Sequence, residues 1–258
     1  MQDYVADWKV ELEKGEPHEV KDHSVEVSEN ICEINWIRSI DYGSLIISLS
    51  SQNFLKQIEE TNRFLGKYVN LYQIHSATLE SGVLNNEDVL RELHKCRSDR
   101  GWAVGLSLST PKQDQVLRRA LEIEVGGEKL FNSVQCTYNI FEQRPGPTLL
   151  DAHNAGMDII IKEVVANGRI LRSNTVKKYA EQLSCSTDQL AIGFILAQPF
   201  KPRVLSGAVT PEQLQSNLKA EFIAERLKND EELLNKIMKD CVMDSEEYWK
   251  ERSELVWN

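Results

Sequence analysis

The sequence predicts an α/β fold built on parallel strands, and three observations support this prediction. Its length of 258 residues is close to the roughly 250 residues that an α/β barrel occupies as a single domain. From residue 69 onward, short apolar runs recur every ~25–45 residues, and each is followed by a stretch with helical period. Strands that alternate with helices in this way form parallel sheets through right-handed crossovers.

The predicted strands are short, apolar and bounded by polar or turn-forming residues. Five of them follow in order along the chain: Val69–His75, Trp102–Ser107, Ser133–Tyr138, Met157–Lys162 and Arg203–Ser206.

Three helix starts can be predicted from capping signals. The segments 110–113 and 210–213 both read Thr-Pro-x-Gln, with threonine at the N-cap, proline at the first helical position and glutamine at the third. The segment 186–189, Ser-Thr-Asp-Gln, repeats the capping box. Residues 52–66 predict a further helix that ends at Gly66, and the acidic tail from about residue 229 predicts amphipathic helices on the outside.

The number of units indicates that the barrel is incomplete. A (β/α)8 TIM barrel uses roughly 30 residues per unit, so three units before residue 69 need about 90 residues. Only 68 residues precede Val69, which predicts about five of eight βα units plus an atypical N-terminal segment. We therefore divide the chain into an irregular segment 1–51, with an unrecognised insertion at about 27–51, and a partial barrel with C-terminal helices at 52–258. In the insertion, residues 45–49 either supply a substitute strand or leave an apolar sheet edge exposed.

Composition excludes several classes of protein. The chain has 30 Lys and Arg against 40 Asp and Glu, a net charge of −10, and such a surface repels nucleic-acid phosphates. No apolar run approaches the roughly 20 residues of a membrane span, and the first residues do not resemble a secretory signal. Five scattered cysteines without a CxxC pair predict neither a disulfide framework nor a metal site. The expected compartment is the reducing cytoplasm, and the oligomeric state is left open.

Five ordered motifs carry a resemblance to a known family. They are the strand 69–75, GLSLSTP at 105–111, SVQCTYNIFE at 133–142, IIIKEVVANGR at 159–169 and LSGAVTPEQLQSN at 205–217. Over about residues 52–225 the chain resembles the aldo-keto reductases, and it resembles an N-terminally truncated member. The resemblance implies an aldo-keto reductase (β/α)8 barrel that transfers hydride from NADP(H) or NAD(H) to a small carbonyl substrate, with its site at the carboxyl ends of the strands.

The resemblance assigns one residue of the catalytic tetrad, which consists of aspartate, tyrosine, lysine and histidine. His75 matches the histidine that ends the fourth strand and helps to orient or protonate the carbonyl. No motif matches the other three positions. Tyr4, Asp7 and Lys9 have the right chemical types, but no motif places them in the tetrad, and we do not assign them. We therefore expect catalysis by this chain to be weak or absent.

The resemblance also assigns cofactor-binding residues at the nicotinamide end. Ser107 and Gln135 match the serine and glutamine that bind the carboxamide, while Leu108 replaces the usual asparagine. Lys162 stands where many members carry an aromatic ring that stacks on the nicotinamide, and it has either a cofactor-pocket or phosphate role or that of a lysine extending to solvent at the barrel rim.

The phosphate end is better preserved in the resemblance. Ser206, Gly207 and Ala208 form a small-residue turn before a capped helix, whose free N–H groups attract an anion. Gln213 and Asn217 match positions that touch the adenosine half. Because NADPH-preferring members often carry lysine and arginine at the positions of Gly207 and Gln213, both NADP(H) and NAD(H) remain open.

Two functions are therefore compatible with the sequence. The first is an NAD(P)H-dependent reductase of aldehydes or ketones with impaired catalysis. The second is a non-catalytic relative that binds a nucleotide or a protein partner. The two differ in whether a tyrosine and a lysine reach a carbonyl placed beside His75.

Overall fold

The predicted alternation of strands and helices is confirmed by the structure. The computed structural model describes residues 25–28, 31–34 and 51–255, and the side chains from residue 54 onward. The strands are β1 Val25–Ser28, β2 Ile31–Ile34, β3 Leu71–Ile74, β4 Ala103–Ser107, β5 Glu124–Val125, β6 Glu128–Lys129, β7 Ser133–Thr137, β8 Asp158–Lys162 and β9 Arg203–Val204. The helices are α1 Ser51–Leu65, α2 Glu87–Arg100, α3 Gln113–Glu122, α4 Gly146–Asn154, α5 Asn174–Leu183, α6 Thr187–Leu196, α7 Pro211–Leu218, α8 Ala220–Lys228, α9 Glu231–Cys241 and α10 Ser245–Ser253.

Seven strands form one sheet in the order β1-β2-β3-β4-β7-β8-β9. β1 is antiparallel to β2, and every other neighbouring pair is parallel. Strands β5 and β6 form a separate hairpin. Among the described strands, β1 and β9 are the two outer strands and do not pair with each other. The predicted parallel α/β architecture with an unclosed barrel is therefore confirmed.

The strand register brings the carboxyl ends of the strands to one edge. Ile74 pairs with Leu106 across β3 and β4, and Thr137 pairs with Lys162 across β7 and β8. Parallel strands in this register present their next residues side by side. We call this rim of the sheet the strand-end edge, and it is where a barrel of this kind carries its chemistry.

Two of the three predicted capping signals are confirmed, and one is wrong. Thr210 accepts a hydrogen bond from the backbone N–H of Gln213 at the start of α7, and Ser186 caps α6. At residues 110–113 the helix begins only at Gln113. The Gln113 amide instead donates to the carbonyl of Thr137 at 2.7 Å and accepts from its N–H at 3.2 Å. Bonds to the end of β7 therefore replace the predicted capping box.

The structure describes only two short stretches of the N-terminal segment, so only some of the predictions made for that segment can be compared with it. Strand β2 extends the sheet by pairing in parallel with β3, and β1 adds an antiparallel hairpin partner. Tyr4, Asp7, Lys9 and the segment 45–49 lie outside the described residues. The helix predicted at 52–66 is present as α1 and is followed by a short 3₁₀ turn at Gly66–Tyr68.

The C-terminal half packs closely on the sheet. Helix α6 is buried, and a Cβ added at Gly193 would lie 2.8 Å from Cβ of Ile223 on α8. The predicted tail helices are present as α9 and α10. Within the described part of the chain, none of the helices is long and apolar enough to cross a membrane.

Candidate functional site at the strand ends

Three of the predicted site residues form one hydrogen-bonded group at the strand-end edge. The Nζ of Lys162 donates to Oγ of Ser107 at 3.0 Å, and Oγ of Ser107 donates to Oε1 of Gln135 at 3.4 Å. Ser107 and Gln135 are buried. We call Ser107, Gln135 and Lys162, together with the serine described next, the lysine cluster.

Ser109 is a further member of this cluster, and no sequence motif predicted it. Lys162 Nζ also donates to Oγ of Ser109 at 2.6 Å. The available signal was the position of Ser109, two residues after Ser107 in an extended run, because alternate residues of extended chain face the same side. The lysine cluster therefore places one ammonium on two serine hydroxyls.

A neighbouring thiol does not add a nucleophile to this group. Cys136 follows Gln135 on β7, and its Sγ donates to Oε1 of Gln113 at 3.0 Å. Burial raises the pKa of the Cys136 thiol. Since the thiolate is the reactive form, this cysteine has a structural role.

His75 lies at the same edge, as predicted. It follows Ile74, whose pairing with Leu106 puts His75 level with Ser107. The backbone N–H of Ala77 donates to the carbonyl of Ser107 at 2.9 Å, so the turn that carries His75 is tied to the end of β4. The side chain of His75 is partly exposed.

The predicted phosphate turn begins beside the end of β8. The N–H of Leu205 donates to the carbonyl of Ile161 at 2.9 Å, and Ser206, Gly207 and Ala208 follow. Gly207 has φ +62°, and a Cβ built there meets nothing within 4 Å. The turn is therefore open on the side where a Cβ would lie, and glycine leaves its backbone accessible there.

The predicted adenosine-contacting residues hold this turn in shape. Oε1 of Gln213 accepts from the N–H of Val209 at 2.8 Å. Nδ2 of Asn217 donates to the carbonyl of Ser206 at 3.3 Å. Both amides therefore connect helix α7 to the loop that follows β9.

Helix α10 covers the loops after β7 and β8, which sequence analysis did not foresee. Glu142, in the loop after β7, is fully buried. Its carboxylate accepts from Oγ of Ser245 at 2.6 Å and from the N–H of Arg144 at 3.0 Å. Burial nevertheless raises the pKa of the Glu142 carboxyl, because desolvation disfavours the charged form.

The substitution Glu142→Gln is expected to stabilise the protein at neutral pH. A carboxyl whose pKa is raised by folding contributes most stability while it is protonated, and that contribution is lost as pH rises through the folded-state pKa. Glutamine does not titrate and has no such loss. The stability of the variant relative to the parent protein should therefore increase from acidic to neutral pH. Thermal unfolding of both proteins from pH 4 to pH 7.5 measures this, and a constant difference across that range would contradict it.

The fold and the edge define a class: an α/β barrel-type sheet with polar residues gathered at the carboxyl ends of its parallel strands. A family model described as "Aldo/keto reductase family" matches residues 42–234. The chain belongs to the aldo/keto reductase family, which is a family of oxidoreductases. Its members use NAD(P)H and act on small carbonyl substrates. No match is found among curated proteins.

Solved structures of low sequence identity share the fold. An aldo-keto reductase from Bacillus halodurans in its holo form is 19% identical, with a TM-score of 0.55 over 76% of this chain and 70% of that one. Aldose reductase from Giardia lamblia is 14% identical, with a TM-score of 0.56 over 78% and 73%. An aldo-keto reductase from a Medee basin deep-sea metagenome library is 16% identical, with a TM-score of 0.55 over 74% and 66%.

The residues at the strand-end edge are chemically suited to a dinucleotide. Ser107 and Gln135 present buried polar groups that a carboxamide can engage. The turn at Gly207 leaves the space that a phosphate needs. Lys162 departs from the aromatic ring of many members, since its ammonium bonds to Ser107 instead of offering an apolar stacking face.

Proposed function

We propose that this chain binds NAD(P)H along the strand-end edge and that its own reduction of aldehydes or ketones is weak or absent. The observation that carries the proposal is the lysine cluster, in which Ser107 and Gln135 are buried and Lys162 is half-buried, at the same edge as an open turn at Gly207. Bound NAD(P)H would supply the hydride. The residues of the chain would bind the nucleotide, orient its carboxamide and donate a hydrogen bond to the carbonyl oxygen of the substrate.

In this proposal, Ser107 and Gln135 hold the nicotinamide carboxamide. The ammonium of Lys162 orients the Ser107 hydroxyl by donating to it, so that the hydroxyl hydrogen remains directed at Gln135. An ammonium is also a hydrogen-bond donor for a carboxamide oxygen. Lys162 thereby takes a polar role at a position where the resemblance has an aromatic ring.

The turn after β9 would hold the phosphates and the adenosine half. Ser206 and Gly207 offer backbone N–H groups, Ala208 completes the turn with its own N–H donated to Oγ of Ser206 at 3.3 Å, and the start of α7 adds the positive end of its dipole. Gln213 and Asn217 fix the turn through their bonds to the loop. Positions 207 and 213 carry glycine and glutamine, not the lysine and arginine that are common in NADPH-preferring members. We therefore propose that the site accepts either NADP(H) or NAD(H).

His75 is proposed to donate to the carbonyl oxygen of the substrate. A histidine alone replaces only part of the tetrad, because the family uses tyrosine as the proton donor with lysine and aspartate lowering its pKa. No residue of this sequence is assigned to those three positions. A missing acid or base typically reduces the rate about 10²–10⁴-fold.

We expect NADPH to bind and to be consumed very slowly. With 4-nitrobenzaldehyde as substrate, the turnover should be about 10²–10⁴-fold below that of an aldo-keto reductase with a complete tetrad assayed in parallel. NADPH fluorescence titration measures binding, and absorbance at the NADPH maximum measures consumption. The variant His75→Ala should bind NADPH normally and lose the residual turnover.

The outcomes of this assay separate the parts of the proposal. Turnover at the rate of the reference enzyme would refute impaired catalysis. Failure of the folded chain to bind either NADPH or NADH would refute the nucleotide site and favour a partner-binding relative.

A non-catalytic nucleotide-binding role is the second candidate. The observation that favours it is the contact of Lys162 with Ser107 and Ser109, which differs from the stacking arrangement of many members. Binding without any detectable turnover, unchanged in His75→Ala, would support this role.

We also propose a cytoplasmic location. The four cysteines whose side chains the structure describes are free thiols, as expected in a reducing compartment.

A further inference from the structure

The residue that follows the lysine of the cluster has a strained backbone. Glu163 comes directly after Lys162 at the end of β8, and its φ is +56°. This left-handed conformation is uncommon for a residue with a side chain, and at a largely buried position it persists because the surrounding structure holds it.

Three side chains from other elements hold Glu163. Nδ2 of Asn139 donates to its carbonyl at 3.0 Å. Nε of Arg252 on α10 lies 2.9 Å from both carboxylate oxygens, and Nη2 donates to Oε1 at 2.5 Å. Tyr248 Oη, also on α10, lies 3.4 Å from Oε2.

This ion pair differs from the surface pairs of the protein. The side chain of Glu163 is 11% exposed and that of Arg252 is 23% exposed. Another ion pair of α10, between Arg144 and Glu246, has side chains 41% and 68% exposed. A forked, partly desolvated arginine–carboxylate pair fixes both direction and position, which a solvated pair does not.

We propose that Arg252 and Glu163 are positioning residues for Lys162, so that helix α10 sets the direction of the ammonium at the strand-end edge. Lys162 and Glu163 share a peptide unit, and rotation of the backbone at Glu163 alters where the chain leaves β8. The contacts of Lys162 with Ser107 and Ser109 then depend on an arginine about 90 residues later in the chain. The identity of the molecule that Lys162 contacts rests on the proposed function. The positioning of Lys162 by Glu163 and Arg252 does not.

The test is the reactivity of the Lys162 amine in the full chain. Each protein is acetylated briefly with a succinimidyl ester, and peptide mass spectrometry measures the rate at Lys162 relative to exposed lysines. In Arg252→Gln and Glu163→Gln this relative rate is expected to rise roughly tenfold, because the ammonium is released from the two serines. Arg252→Lys keeps a charge without the fork and should restore part of the protection.

The matched control is Glu246→Gln, which removes the exposed ion pair of the same helix. Circular dichroism identifies the variants that remain folded. If Arg252→Gln does not fold, the labelling rates of Glu163→Gln and Arg252→Lys test the proposal. An unchanged labelling rate in the folded variants would overturn the proposal, as would an equal rise in Glu246→Gln. NADPH titration of the same proteins reports separately on the proposed function: increased labelling without any NADPH binding in the parent chain would support positioning and refute the nucleotide site.

Discussion

Replacing Gly207 by aspartate is expected to weaken NADPH binding by at least about tenfold. Gly207 lies in the open turn before α7, where we propose that the phosphates bind, and an added Cβ meets nothing within 4 Å. A carboxylate about 7 Å from a phosphate charge costs about 2 kcal/mol at an effective dielectric constant of about 20. Every 1.4 kcal/mol or so is a factor of ten in affinity.

The hairpin turn between β5 and β6 offers a matched control. Gly127 also has a positive φ, +87°, and open space around it, so Gly127→Asp introduces the same charge with a comparable backbone cost. The hairpin leads into the amino end of β7, away from the strand-end edge. Fluorescence titration with NADPH should show the loss at Gly207 alone. Equal affinities for the two variants would contradict the phosphate assignment.

Replacing Gly193 by valine is expected to destabilise the fold by about 3 kcal/mol, the upper part of the range for overpacking a close contact. A Cβ at this position lies 2.8 Å from Cβ of Ile223 and 3.0 Å from the carbonyl oxygen of Ala220. Both atoms belong to α8, and the backbone oxygen cannot move away by a change of rotamer, so α6 and α8 must separate. Denaturant unfolding measures the difference in the free energy of unfolding.

A double-mutant cycle distinguishes this contact from a general helix effect. Gly193→Ala and Ile223→Gly should each destabilise, while the double variant should be more stable than the sum of the two effects predicts, because glycine at position 223 removes the Cβ that lies 2.8 Å away. Glu221→Val, on the exposed side of α8, should change the stability by less than about 0.5 kcal/mol. An additive cycle would show that α6 and α8 do not depend on this close approach.

Much of the fold could be predicted from local pattern. The five strands after residue 69 were predicted with errors of at most a few residues, because buried parallel strands appear as continuous apolar runs. The cap at Thr210 was also predicted, since the hydrogen bond to Gln213 involves only neighbours in sequence. At Gln113 the prediction was wrong because the amide bonds to Thr137 of β7, a partner that no local window contains.

For the candidate site, the positions of the residues could be predicted, but several of their contacts could not. The positions of His75, Ser107 and Lys162 at strand ends follow from where the apolar runs stop, together with the resemblance. The second serine on Lys162 and the arginine held by Glu163 did not follow. These contacts join residues that are far apart in sequence.

By itself, the sequence determined the alternation of strands and helices, the family and the edge at which the polar residues meet, because period and capping are properties of adjacent residues. The tertiary structure alone decided what those residues contact. It placed the ammonium of Lys162 on Ser107, and it brought Arg252 to Glu163. The physical reason is that hydrogen bonds and ion pairs depend on distances of about 3 Å, and only the packing of α10 on the strand ends sets those distances.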